Sequence, residues 1–81
     1  MTSKKQLTSS ISYSTHKNNF GNVIMFFDEN AKHIGSLIAE ENVDDLDELK
    51  DELLYSVGFT KEQTAETLNT VNDLINSILE K

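Results

Sequence analysis

The sequence predicts an α+β domain in which a three-stranded antiparallel sheet is followed by two α-helices, in the order β-β-β-α-α. Three observations predict it. Apolar residues recur with a period of two in the first half of the chain and with helical spacing in the second, and clusters of turn-forming residues separate the runs. With 81 residues, the chain supports one core and not two, because a domain this small removes only about 60% of its unfolded surface from water. Residues 1–6 are polar and basic without periodicity and read as a flexible N-terminus, leaving 7–81 as the single domain.

From Leu7 to Thr15, Leu7, Ser9, Ile11, Tyr13 and Thr15 alternate with a polar set, the pattern of a half-buried strand. Lys17-Asn18-Asn19-Phe20-Gly21-Asn22 gathers residues that tolerate positive φ, so the chain turns there into a hairpin. Val23-Ile24-Met25-Phe26-Phe27 is apolar on both faces, as in a central strand whose second face awaits a cover. A polar turn, Asp28 to Lys32, leads to a third strand, His33 to Ala39, in which Gly35 reads as a weak point.

Asn42 or Asp44 suits the cap of a first helix with Leu46, Leu49, Leu53, Leu54 and Val57 at helical spacing, and Gly58 suits its stop. Thr60 and Gln63 form a capping-box pattern. It opens a second helix with a wide apolar stripe: Leu68, Val71, Leu74, Ile75, Ile78 and Leu79. Phe59, in the short connection, is expected in the core between the helices. The two-faced central strand and the long stripe offer more apolar surface than one small core consumes, which predicts a homodimer.

Several chemistries lack their residues. Without cysteine there is no disulfide, thiolate site or cysteine nucleophile, and with no signal-like or membrane-spanning run the expected location is the cytoplasm. Asp44-Asp45-Leu46-Asp47-Glu48 lacks the glycine and alternating ligands of a calcium loop. His16 and His33 fall on different strands with no third ligand in sight. Serines crowd the first strand without a nucleophile elbow or phosphate loop. The aromatic residues, Tyr55 among them, read as core, with one or two as anchors of a protein interface, because a base-stacking site also needs a basic groove. A non-enzyme with no cofactor or metal, and with no membrane or direct nucleic-acid partner, is expected.

The informative signal is charge. The net charge is −7, yet residues 1–27 contain lysines and no acid. Ten acids against Lys32 and Lys50 give residues 28–52 a charge of −8. Glu40, Glu41, Asp44, Asp45, Asp47, Glu48, Asp51 and Glu52 surround the first helix while Leu46, Leu49 and Leu53 are expected to turn inward. The helix dipole, at about 0.3–1 kcal/mol per acid, accounts for the acids of the first turn. It does not reach Asp51 and Glu52, and with few lysines at neighbour spacing the cluster opposes itself by a few tenths of a kcal/mol per pair. The row reads either as a plain solvated face or, because side chains about 5–6 Å apart on a helix can imitate phosphates, as a surface that meets a basic groove without any base contact.

In length, acidity, lack of cysteine and acid-rich helix, the chain resembles the small DNA-mimic proteins with which bacteriophages inhibit host DNA-binding proteins. The resemblance implies a basic DNA-binding host partner, such as a histone-like nucleoid protein, a nuclease or a repair enzyme, and the eight acids above are the candidate partner-binding residues. The alternative is a small interaction or immunity module binding through apolar surface, with Met25 or Phe26 and the outer edge of the last helix as its contacts.

Overall fold

A computed structural model describes residues 5–19, 21–40 and 44–80. Its sheet is antiparallel, with the neighbour-to-neighbour order β1-β2-β3-β4: β1 Lys5–Gln6, β2 Ser12–Asn18, β3 Gly21–Phe27 and β4 His33–Ala39. The helices follow as α1 Leu46–Asp51, which continues into a π-helical segment Glu52–Val57, and α2 Lys61–Leu79. The α+β order of sheet before helices is the one the sequence predicts, but the sheet has four strands rather than three.

The extra strand arises because the alternation that starts at Leu7 is not one strand. The Thr8 hydroxyl accepts the amides of Ser10 and Ile11 at 3.2 and 3.1 Å, and Leu7 N donates to Ile11 O at 2.8 Å. A threonine side chain thus offers the backbone a turn in place of a ladder. The chain folds back, pairing Lys5 with Tyr13 and Gln6 with Ser12 as an edge hairpin. The sheet therefore takes in Lys5 and Gln6, which the sequence assigns to the N-terminal tail.

β2 and β3 pair up to Asn18, which stands opposite Gly21 at a φ of 123°. In the next turn the Asp28 carboxylate accepts from the amides of Asn30 and Lys32, both at 2.9 Å, and Ala31 is held at a φ of 64°. Gly35 is no weak point. A Cβ there would lie 2.0 Å from the Val57 carbonyl oxygen, so its lack of a side chain is what lets the π-helical segment rest on β4.

Both helices cover one face of the sheet. Ile24, Phe26, Leu37 and Ala39 from the strands meet Leu49, Leu53, Val57, Phe59, Val71 and Ile75, and the Phe26 and Phe59 rings pack edge-on at 5.1 Å. α2 opens with the predicted capping box, Gln63 N donating to the Thr60 hydroxyl at 3.1 Å and Thr60 N to the Gln63 side chain at 3.0 Å. Gly58, at a φ of 97°, ends the first helix. The α2 stripe is consumed by the core: Val71 and Ile75 are buried, and Leu68, Leu74, Ile78 and Leu79 pack beside them. Leu68, Leu74, Ile78 and Leu79 remain partly exposed, and Ile78 lines an open concavity with Thr15, His16, Lys17 and Asn22.

Candidate functional site: an acidic ridge and an open sheet face

The acidic ridge is built by α1. Asp45, in extended conformation, is its N-cap and accepts from Asp47 N at 2.9 Å, a role the sequence suggests for Asn42 or Asp44. Asp44 is exposed and makes no such bond, while Asn42 and Glu41 lie outside the described residues. Leu49 and Leu53 anchor the helix in the core, which aims Asp47, Glu48, Asp51 and Glu52 at solvent. Leu46, expected inside, is 39% exposed at the first turn of the helix.

Asp44, Asp45, Asp47, Glu48, Asp51 and Glu52 are all exposed, and among the described residues none of them forms an ion pair with a lysine. From Asp45 to Glu52 is about 10 Å along a helix axis at 1.5 Å per residue. Five carboxylates less Lys50 give one net negative charge per ~2.6 Å, against one per ~1.7 Å for duplex DNA. The ridge thus has a linear charge density within a factor of two of the polymer. Glu40 lies apart from α1: its Cγ would be 3.8 Å from a Cβ at Gly21, which places it over the β2–β3 turn. It belongs to the acidic surface only by sequence proximity.

Beside the ridge, a concavity of about 470 Å³ is lined by Asp47, Lys50, Asp51, Leu54, Tyr55, Lys61 and Ala65. Two lysines from different elements therefore border the acids. Tyr55, expected in the core, is 81% exposed there. Its place was legible in one respect, since Asp47, Asp51 and Tyr55 follow at intervals of four, the row opposite Leu49 and Leu53.

Among the described residues, no element covers the sheet's second face. Val23, Met25 and Phe27 alternate with the buried Ile24 and Phe26, and they are half-buried without joining the core. Ile38, opposite Val23, is 50% exposed. Of the two contacts that the apolar-surface reading names on this strand, Met25 is on the open face and Phe26 is fully enclosed. Met25 stands between Ser14 and Ser36 on the flanking strands. His16 Nε2 lies 3.0 Å from the Ser14 hydroxyl and His33 Nε2 3.0 Å from that of Ser36.

Among the described residues there is no group of three or more His, Asp or Glu arranged to hold a metal, and no helix is long and apolar enough to cross a membrane. The chain matches no protein-family model, no curated protein and no solved structure.

Proposed function

We propose that this protein is a non-enzymatic inhibitor that occupies the basic DNA-binding surface of another protein with its acidic ridge, as DNA phosphates would. The observation that carries the reading is the row of exposed carboxylates from Asp44 to Glu52 on a helix pinned by Leu49 and Leu53. Pinning matters because charges on a rigid ridge are already in place when the partner arrives, so little ordering entropy is lost on binding. The exposed Tyr55 adds an aromatic contact at the edge of the ridge, a residue type enriched at the anchors of protein interfaces. A bacterial cytoplasm is the setting in which a phage-encoded protein of this kind meets a histone-like nucleoid protein, a nuclease or a repair enzyme.

The test is a pull-down from bacterial lysate at low and high salt, followed by displacement of fluorescent DNA from whatever basic protein is retained. A variant combining Asp47→Lys, Glu48→Lys and Asp51→Lys runs beside it. At about 1 kcal/mol per reversed charge, the variant needs roughly a hundredfold higher concentration to displace the DNA. Wild-type binding falls steeply with salt. Equal displacement by both proteins, or binding indifferent to salt and DNA, refutes the reading.

A further inference from the structure

We infer that the open face of the sheet is an interface between two copies of this chain, packed back to back with their acidic ridges outward. The inference is independent of the ridge's proposed function and rests on how charge is partitioned between the two layers. Of the chain's 21 charged residues, 14 acidic and 7 basic, none lies within the open-face positions of β2, β3 or β4, and Glu40, just past β4, reaches only the corner of the face beside Ile38 and Gly21. On this side the strands present serines, histidines and the apolar row Val23, Met25, Phe27, joined by Ile38. A solvated antiparallel face is ordinarily polar along each strand, and here the central strand is apolar at three successive outward positions.

Charge also selects the occupant. Apart from Glu40 at its corner, this face offers no carboxylate or lysine for a nucleic acid or a strongly charged protein to pair with. Two copies carrying −7 each repel wherever their acids approach, but this face lies on the layer opposite α1. The molecule's shortest dimension is 17 Å, and packed sheets stand ~10 Å apart, so back-to-back packing holds the two outer layers roughly 40 Å from each other. That is several Debye lengths at physiological salt, so the self-repulsion is nearly all screened. A two-fold axis near Met25 sets the row Ser14, Met25, Ser36 against its own copy, giving a self-complementary contact with no unpaired charge.

The area sets the strength. Three strands of seven residues, at ~3.3 Å per residue and ~4.8 Å per strand, present roughly 330 Å² of planar face, on the order of 700 Å² for the pair. That is under the ~1,200 Å² of stable complexes, so the dimer is weak and concentration-dependent.

Sedimentation equilibrium of the full chain, from about 10 μM to 1 mM, tests this. Met25 is the one methionine among the described residues, so its methyl resonance reports on the face. The expected result is a rising average mass, a Met25 shift that tracks it, and association that persists or strengthens in high salt. Met25→Lys raises the dissociation constant at least about tenfold while leaving ridge-dependent DNA displacement intact. Ile38→Asp does the same if Met25→Lys perturbs the fold by circular dichroism. A monomer at every concentration, or a dimer insensitive to both substitutions, overturns the inference. Loss of the dimer on reversing Asp47, Glu48 and Asp51 overturns it too, whereas failure of that variant to alter DNA displacement bears only on the ridge.

Discussion

Replacing Gly35 by alanine puts a methyl where the Val57 carbonyl already lies. The added Cβ would stand 2.0 Å from the carbonyl oxygen and 2.7 Å from its carbon. Both are backbone atoms, so no side-chain rotation relieves the clash. Ordinary contact needs about 3.4 Å, and the π-helical segment must therefore retreat by about 1.4 Å or β4 must bend away. Either movement lifts Leu53 and Val57, which are fully buried, off Phe26 and Leu37. Overpacking of a tight contact costs about 1–3 kcal/mol, and with only backbone to yield the upper figure applies. A domain of this length holds about 4–12 kcal/mol in all. A loss of about 3 kcal/mol lowers the melting temperature by roughly 12–24 °C, at about 4–8 °C per kcal/mol. Thermal and urea unfolding followed by circular dichroism read this directly. Gly58→Ala is the control: its Cβ would meet only the Ile34 carbonyl oxygen at 3.9 Å, leaving the strain of a φ of 97°, about 1–2 kcal/mol. If Gly35→Ala melts within a few degrees of wild type, or no lower than Gly58→Ala, the close approach of β4 and the π-helical segment is not what this position serves.

Phe26→Ala removes the centre of the core and its edge-on contact with Phe59, a loss of about 3–5 kcal/mol that leaves little or no folded protein at 37 °C. Thr60→Ala removes the hydroxyl arm of the α2 capping box, leaving the Thr60 backbone N–H on the Gln63 side chain, and lowers stability by about 1 kcal/mol in urea titration, whereas Thr60→Ser retains most of it. Ala31→Gly relieves a left-handed alanine, and the gain, offset by the freer unfolded chain, is about 0.5–1 kcal/mol in the same assay. Asp51→Lys, past the first turn that the helix dipole favours, leaves the melting temperature unchanged or raises it, because the cluster opposes itself; a lower melting temperature would mean that this acid serves the fold.

What the sequence discloses and what it hides divide along physical lines. The α2 cap, the Gly58 stop and the exposure of the acids were legible because each follows from local chemistry: a hydroxyl three residues before a glutamine, a residue free to take positive φ, and charges that are costly to bury. The edge hairpin was hidden because Thr8 diverts the chain with a side-chain bond that leaves the apolar alternation unbroken. In Val23 to Phe27 every residue is apolar, so alternation alone cannot say which set faces the helices. Pairing decides it, by putting Phe26 opposite Tyr13 and Gly35 on the core side. The π-helical segment leaves no trace, since Leu49, Leu53 and Val57 at intervals of four serve an α-turn equally well. Gly35 was misread for a related reason: a glycine in a strand signals either weakness or close approach, and only Val57 tells which. The eight candidate acids resolve into a ridge on α1, an outlying Glu40, and Glu41 outside the described residues.

The strand order runs strictly from neighbour to neighbour, and the helices follow in sequence. Such a chain closes only short loops as it folds, so little entropy is lost before contacts form, and topology favours folding in milliseconds. The hairpins, however, are marginal until Leu53, Val71 and Ile75 arrive to cover Ile24 and Phe26. Formation of the two helices against the sheet is thus the committing step, and substitutions at Val71 or Ile75 are expected to slow folding more than those in the β3–β4 turn.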